Sequence, residues 1–108
     1  MIKVEFNYDP SDDVLYLYNK NNESHYSVDF SDEMIADIDA KGKISGLEIF
    51  GASKEFDVPK NSLKEIKSAE LSNLSKNGAI IGVGFVLILA KQIIKNKVLV
   101  PAVSRSRL

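Results

Sequence analysis

The chain has 108 residues, of which 44% are apolar and 27% are charged, and its formal net charge is −1. These values are typical of one globular domain and argue against disorder, while the absence of Cys excludes disulfides, thiolate metal sites and a Cys nucleophile. The charged amino terminus is no signal peptide and the apolar run at 79–90 is too short to span a bilayer, so we expect a cytoplasmic protein with no membrane partner.

Alternation of apolar and polar residues predicts strands throughout the first half of the chain. The predicted strands cover residues 2–8, 14–18, 24–29, 34–39 and 44–50. A turn follows the first strand at Asp9-Pro10, and a tight hairpin is predicted at 40–43, where Gly42 is free to take a positive φ. Gly46 interrupts the last of these strands and predicts a bulge or a close backbone contact.

The periodicity changes in the second half of the chain. Pro59 is placed to open a helix and Leu63 and Ile66 follow at helical spacing, so we expect one short helix near 59–67. Strands are then predicted at 69–74, 80–90 and 93–100, with a turn at Asn77-Gly78. A helix over 85–97 is the alternative interpretation.

The predicted fold class is α+β, predominantly antiparallel β with about eight strands and one short helix. We expect a single domain over residues 1–108, in which an acidic β-meander (1–57) is followed by the short helix and an apolar, basic β-hairpin (58–108).

Charge is divided unevenly between these two halves. Residues 1–57 contain 13 acidic and 5 basic residues, a balance of −8, and residues 58–108 contain 2 acidic and 9 basic residues, a balance of +7. Such asymmetry bears on association and not on fold. Either the two halves face each other, within one chain or across an oligomer, or the acidic half binds a basic partner. The residues expected on that acidic face are Asp29, Asp32, Glu33, Asp37 and Asp39.

The strand predicted at 80–90 is apolar on both faces, so both faces should be buried. A chain of this size has difficulty in covering both faces by itself. We therefore expect a homo-oligomer, with a dimer as the simplest case. The predicted self-association surface consists of Ile81, Val83, Phe85, Leu87, Leu89, Ile93, Val98 and Val100.

Several carboxylates resemble metal or catalytic groups but are better explained by turns. Asp37, Asp39 and Glu48 follow the spacing of a calcium loop, yet Lys41 occupies a ligand position and the flanking segments are strands, which favours a plain hairpin. The cluster Asp9, Asp12 and Asp13 is typical of turn capping. We assign no metal and no cofactor.

Catalysis and nucleic-acid binding have little support in the sequence. The single His, His25, lies in a weak strand with no nucleophile framed by Gly, and an enzyme would rest only on Asp9, Asp13 and Glu48. The basic residues are separated from most of the aromatic residues, so we do not expect nucleic acid as a partner. These basic residues are Lys60, Lys64, Lys67, Lys91, Lys95, Lys97, Arg105 and Arg107.

Two groups of residues resemble a known family. Tyr8-Asp9-Pro10, Asp13 and Leu15-Tyr16-Leu17 form the first, and Ile38-Asp39, Gly42-Lys43, Gly46-Leu47-Glu48-Ile49 and Ala52-Ser53 form the second. Together they resemble the prokaryotic domain of unknown function 2283 over about residues 2–54. The rest of the chain resembles a C-terminal β extension carried by some, mostly archaeal, members.

The resemblance implies a small β-rich protein without assigned chemistry. Some members lie beside genes for small ribonuclease-like toxins, which implies an antitoxin role for those members. Our functional prediction is a non-enzymatic module that binds protein and self-associates. The alternative is an antitoxin-like regulator that binds a small basic toxin, or another basic partner, through the acidic half.

Overall fold

The computed structural model describes residues 1–99. In chain order these residues form β1 (Ile2–Asp9), β2 (Val14–Tyr18), β3 (Tyr26–Ser31), β4 (Met34–Ile38), β5 (Ile44–Phe50), α1 (Ala52–Glu55), α2 (Lys60–Leu63), β6 (Ile66–Lys76), β7 (Ala79–Leu89) and β8 (Ile93–Leu99). The strands make one antiparallel sheet in the order β3-β4-β5-β2-β1-β6-β7-β8. The predicted α+β class with about eight antiparallel strands is confirmed.

β1 joins the two halves of the sheet because it changes partner along its length. Its first residues pair with β6, with Ile2 opposite Leu71, and its later residues pair with β2, with Asp9 opposite Val14. The connection from β5 to β6 therefore crosses to the far side of β1, and α1 and α2 lie in that connection.

The sheet curls so that one face of both halves lines a single core. β5 and β6 are separated by β2 and β1 in the strand order, yet the amide of Ile44 donates to Asn73 Oδ1 at 2.6 Å. The inward faces supply alternate apolar residues from both halves, such as Leu15, Leu47 and Leu87, each fully buried. The short helices pack on the same core. We call the opposite, outward face of each strand its outer surface.

The predicted turns are confirmed by the backbone. Gly42 has a φ of 81°, and the amide of Asp39 donates to the carbonyl of Lys43 across that hairpin at 2.8 Å. Asn77 and Gly78 have φ of 53° and 80°, the left-handed pair that a two-residue hairpin needs. The register shift between β4 and β5 beside Gly46 is the predicted irregularity.

The predicted helix near 59–67 is wrong in extent. α2 ends at Leu63, and Ile66 already belongs to β6, where it pairs with Leu89 of β7. Leu63 and Ile66 are both buried, as their spacing required, but Leu63 is helical and Ile66 is extended. α1 was not predicted. A single helical turn has little stability of its own, so packing determines where it forms.

The segment 85–97 is extended and not helical. It contains the end of β7 and most of β8, which are joined by a turn in which the amide of Leu89 donates to the carbonyl of Gln92 at 2.9 Å. Both helices among residues 1–99 are four residues long, so neither approaches the length that crosses a bilayer.

Candidate functional site

The outer surface of β6, β7 and β8 carries three of the six large apolar residues that are exposed among residues 1–99. Its side chains form four rows across the three strands, each with one residue from β6, one from β7 and one from β8. The rows are Ser68–Ile88–Ile93, Glu70–Val86–Lys95, Ser72–Gly84–Lys97 and Leu74–Gly82–Leu99. We call this set the β6–β8 outer surface.

Large aliphatic side chains on this surface are in contact with solvent. Ile88 is 38% exposed, and Ile93 and Leu99 are each 59% exposed. A groove of about 480 Å³ lies over Gly84, and Met1 forms part of its lining together with Leu74, Val86, Lys95 and Lys97. The exposed aliphatic side chains lie outside the lining of this groove: Ile88 and Ile93 are at one end of the surface and Leu99 is at the other.

Two glycines lie in the middle of this surface, on β7. A Cβ atom added at Gly84 would lie 2.6 Å from Ser72 Oγ, and one added at Gly82 would overlap the carbonyl of Val98 and lie 3.0 Å from Leu99 Cδ2. Neighbouring groups of the same chain thus occupy the space that side chains would need.

The predicted self-association residues lie on both faces of the hairpin. Val83, Phe85, Leu87 and Leu89 point inward and are between 0% and 5% exposed in a single chain. Val98 packs partly on the same core, Ile81 is half-buried, Ile93 lies on the β6–β8 outer surface, and Val100 lies outside the described residues.

Alternation in the sequence showed two apolar faces on β7 but did not show which face is inside. The inward face carries the larger side chains, whereas the outward face carries the glycines. That difference in bulk is the sequence signal that identifies the core face, because a core needs volume.

The outer surface of β2 to β5 is acidic and carries a fixed hydrogen-bond network. Tyr16 donates its hydroxyl to Asp37 Oδ2 at 2.7 Å, and Ser27 donates to Asp37 Oδ1 at 2.8 Å. The Tyr16 ring stacks on Tyr18 with centroids 5.0 Å apart. Burial, the hydrogen bond to Asp37 and the charges of Asp37 and Glu48 raise the pKa of Tyr16.

Four of the five residues predicted for an acidic face reach solvent. Asp29 and Asp37 lie on the outer surface, and Asp32 and Glu33 are exposed in the turn between β3 and β4. Asp39 differs because it is only 8% exposed, and its Oδ1 accepts the amides of Lys41 and Lys43 at 2.9 Å each. Asp39 therefore stabilises the hairpin and is not part of an accessible acidic surface.

The first turn contains a buried carboxylate. Asp13 is 7% exposed and accepts hydrogen bonds from the Tyr8 hydroxyl at 2.6 Å, the Ser53 hydroxyl at 2.7 Å and the Ser53 amide at 3.0 Å. Burial alone would raise the pKa of Asp13, but these hydrogen bonds and the charge of Lys60 outweigh it and lower that pKa. Burial and the hydrogen bond to Asp13 raise the pKa of Tyr8.

The other candidate catalytic and metal residues have separate surroundings. Asp9 Oδ1 accepts the amides of Ser11 and Asp12, and Glu48 lies opposite Tyr16 on the outer surface of β5. His25 is exposed, and its ring packs edge-on to Tyr26. Within residues 1–99 there is no group of three or more His, Cys, Asp or Glu placed to hold a metal ion.

Comparison with known proteins identifies a matching family and a related protein. The family model described as protein of unknown function (DUF2283) matches residues 5–53, from β1 into α1. An uncharacterised protein of Methanocaldococcus jannaschii is 32% identical over 100 residues, which is 90% of this chain and 85% of that protein. The similarity to the archaeal protein thus extends beyond the part that the family model matches. No solved structure matches the chain significantly.

Proposed function

The chain belongs to the DUF2283 family of proteins of unknown function, and from that premise we propose that it is a non-enzymatic binding module that associates with a second copy of itself. The observation that carries the proposal is the exposure of three aliphatic side chains on the β6–β8 outer surface, with Ile88 and Ile93 in its first row and Leu99 in its last. Adjacent exposed aliphatic side chains such as Ile88 and Ile93 favour an interface at that end of the surface.

The magnitude of the apolar contribution suggests a reversible dimer. Burying an aliphatic side chain completely contributes roughly 1.5–3 kcal/mol, so Ile88, Ile93 and Leu99, already partly covered, contribute about 1 kcal/mol each. A symmetric contact uses each residue twice and gains about 6 kcal/mol, against an association cost of roughly 4–15 kcal/mol. Other contacts must supply the remainder, so we expect an assembly that depends on concentration.

Substitution of Ile93 tests the proposal. Ile93 is 59% exposed on an edge strand, so Ile93→Lys removes apolar surface without disturbing the core. We expect light scattering after size exclusion to give a dimer mass for the wild type and a monomer mass for Ile93→Lys. Circular dichroism should show that both proteins are folded.

The matched control is Tyr26→Lys at the opposite edge of the sheet, on β3. Tyr26 is 52% exposed and lies far from the β6–β8 outer surface in strand order, so this variant should keep the wild-type mass. A wild type that is monomeric at every accessible concentration, or an Ile93→Lys variant that remains dimeric, would contradict the proposal.

A second candidate function is supported by the outer surface of β2 to β5. We propose as the alternative that this surface binds a basic protein, because the carboxylates of Asp37 and Glu48 lie beside the stacked Tyr16 and Tyr18, and Asp29 lies on the same face. Aromatic faces and carboxylates together suit Arg and Lys side chains.

Neutralising two accessible carboxylates tests this alternative. Asp29→Asn with Glu48→Gln removes charge and leaves Asp37 and its two hydrogen bonds in place. If a basic protein copurifies with the wild type, we expect the double variant to lose it. The matched control, Asp12→Asn with Glu23→Gln, removes equal charge from exposed positions outside this surface and should retain the partner. Equal retention by both variants would exclude this surface.

A further inference from the structure

The charged residues on the β6–β8 outer surface are arranged in a way that selects one geometry of association. In one row, Glu70 lies on one side of Val86 and Lys95 on the other, and Lys3 of β1 lies opposite Glu70 on its far side. Val86 itself is only 9% exposed in the single chain. The acidic residue is on β6, the basic residue is on β8, and the apolar residue between them is on the central strand. Neighbouring strands are about 4.8 Å apart, so the two charged residues flank Val86 at nearly equal distances.

Symmetry turns this row into a complementary contact. When two such surfaces pack face to face about a two-fold axis parallel to β7, β6 of each copy lies over β8 of the other, and each row faces its own equivalent. Glu70 then faces Lys95 of the second copy, and Val86 faces Val86 of the second copy. The contact is self-complementary, as an isologous interface must be.

The remaining rows are matched by the same operation. Leu74 faces Leu99 of the second copy, Ile88 faces Ile88 of the second copy, and Gly82 and Gly84 face their equivalents. Leucine side chains thus meet on the flanks at one end of the surface, whereas at the other end Ile93 faces Ser68 of the second copy, and Lys97 faces Ser72. Packed sheets lie about 10 Å apart, and the two copies of β7 run parallel across that gap.

Other symmetric arrangements bring like charges together. A two-fold axis across the strands, with the same faces in contact, places β8 of one copy over β8 of the other. The two lysines of one copy, Lys95 and Lys97, then lie over the two lysines of the other. Pairing of β8 edge to edge about Asn96 also sets Lys95 beside Lys97 of the second copy. Like charges placed opposite each other are destabilising, and lysines on an edge strand discourage edge pairing.

We propose that two copies of the chain pack through the β6–β8 outer surface about a two-fold axis along β7, with Glu70 of each copy paired to Lys95 of the other. This arrangement rests on the self-association proposed above and specifies its geometry.

Charge reversal tests the pairing. In Glu70→Lys and in Lys95→Glu, two attractive pairs are replaced by two repulsive ones. Because each reversal affects two exposed pairs at once, the dissociation constant of each single variant should rise by about 30-fold. The double variant, Glu70→Lys with Lys95→Glu, should regain an affinity close to that of the wild type.

Mixing the two single variants is the decisive measurement, by sedimentation velocity with one protein labelled. In a mixed dimer both contacts again join opposite charges, so each variant should bind the other more tightly than itself. Lys20→Glu and Glu23→Lys, in the exposed loop after β2, are the controls and should self-associate like the wild type.

The outcomes separate this geometry from self-association itself. If Ile93→Lys is monomeric but the charge-reversal variants do not complement each other, association through this surface stands and the axis along β7 is overturned. If the wild type and all variants are monomeric, both proposals fail. Complementation in the mixture together with recovery in the double variant supports both.

Discussion

Asp13 connects two segments that are far apart in the chain. Its carboxylate accepts hydrogen bonds from Tyr8 at the end of β1 and from Ser53 in α1, and its backbone carbonyl accepts the amide of Ala52 at 3.0 Å. Asp13 itself has a φ of 56°, a conformation that Asp and Asn tolerate better than most residues. The family model matches the region that contains Tyr8, Asp13, Ala52 and Ser53. The hydrogen bonds among these four residues give them a structural role.

Asp13→Asn should weaken the fold in a manner that depends on pH. Because the pKa of Asp13 is lower in the folded chain, its ionised form stabilises the fold above the unfolded pKa of about 3.9, and this stabilisation is lost as pH falls through the folded pKa. At neutral pH we expect the free energy of unfolding to fall by about 1–2 kcal/mol, since hydrogen bonds to a charged group are replaced by weaker ones.

Urea denaturation at a series of pH values measures this effect. The difference between the wild type and Asp13→Asn should shrink at acid pH, when Asp13 of the wild type becomes protonated. Asp12→Asn, at an exposed position next to it, should leave stability nearly unchanged at every pH. A loss of stability in Asp13→Asn that is independent of pH would show that the charge is not the cause.

At the scale of elements, the outer surfaces of the two halves of the sheet differ in kind. The surface over β2, β4 and β5 is polar and internally hydrogen-bonded, and Gly46 supplies the space for the contact between Tyr16 and Asp37. A Cβ atom at Gly46 would lie 3.0 Å from Asp37 Oδ2, 3.1 Å from the Tyr16 hydroxyl oxygen and 3.2 Å from the Leu17 carbonyl oxygen. The surface over β6 to β8 carries exposed aliphatic side chains together with Glu70, Lys95 and Lys97, and it is there that we propose association with a second copy.

Gly46→Ala should destabilise the chain by about 1–2 kcal/mol, because the added methyl group crowds three oxygen atoms. In a Tyr16→Phe background the cost should be smaller, since one of those atoms is absent. The two backgrounds form a double-mutant cycle that denaturant unfolding can measure. Tyr18→Phe is the matched background, because the Tyr18 hydroxyl is not among those three atoms; there the full cost should remain. Equal costs in all backgrounds would mean that Tyr16 does not limit the space.

At the scale of the whole molecule, the curled sheet gives each chain one internal core and leaves one apolar surface outside. The bond between Ile44 and Asn73 joins the halves across the curl, and the aromatic rings of Phe56 and Phe85, 5.7 Å apart, join the helical connection to β7. The core is therefore complete in one copy, which means that a dimer would be an association of folded chains.

Such an association makes stability depend on protein concentration. We expect the thermal midpoint of the wild type to rise with concentration, because dimer formation favours the folded state, and the midpoint of Ile93→Lys to stay constant. Scanning calorimetry over a wide range of concentrations measures this effect, and a concentration-independent midpoint would argue against the dimer.

Raising salt from about 0.1 M to 1 M shortens the Debye length from about 10 Å to 3 Å, so the proposed Glu70–Lys95 pairs should weaken and the dissociation constant should rise.

The sequence by itself determined the strands, most of the turns and the family. These features depend on local information: alternation along a strand, the conformational preferences of Gly42 and of Asn77-Gly78, and motifs within residues 5–53. The close contact at Gly46 was also predicted, because a residue without a side chain inside a strand implies a neighbour in its place.

Only the tertiary structure decided which face of β7 is buried, where the helices lie and what Asp13 and Asp39 do. Alternation on β7 identifies two faces but cannot orient them when both are apolar, so Phe85 was assigned to an interface although it lies in the core. The pairing of Asp13 with Ser53 spans 40 residues, and α1 and α2 form where the crossing from β5 to β6 packs on that core. These features depend on contacts between distant segments, which local periodicity does not specify.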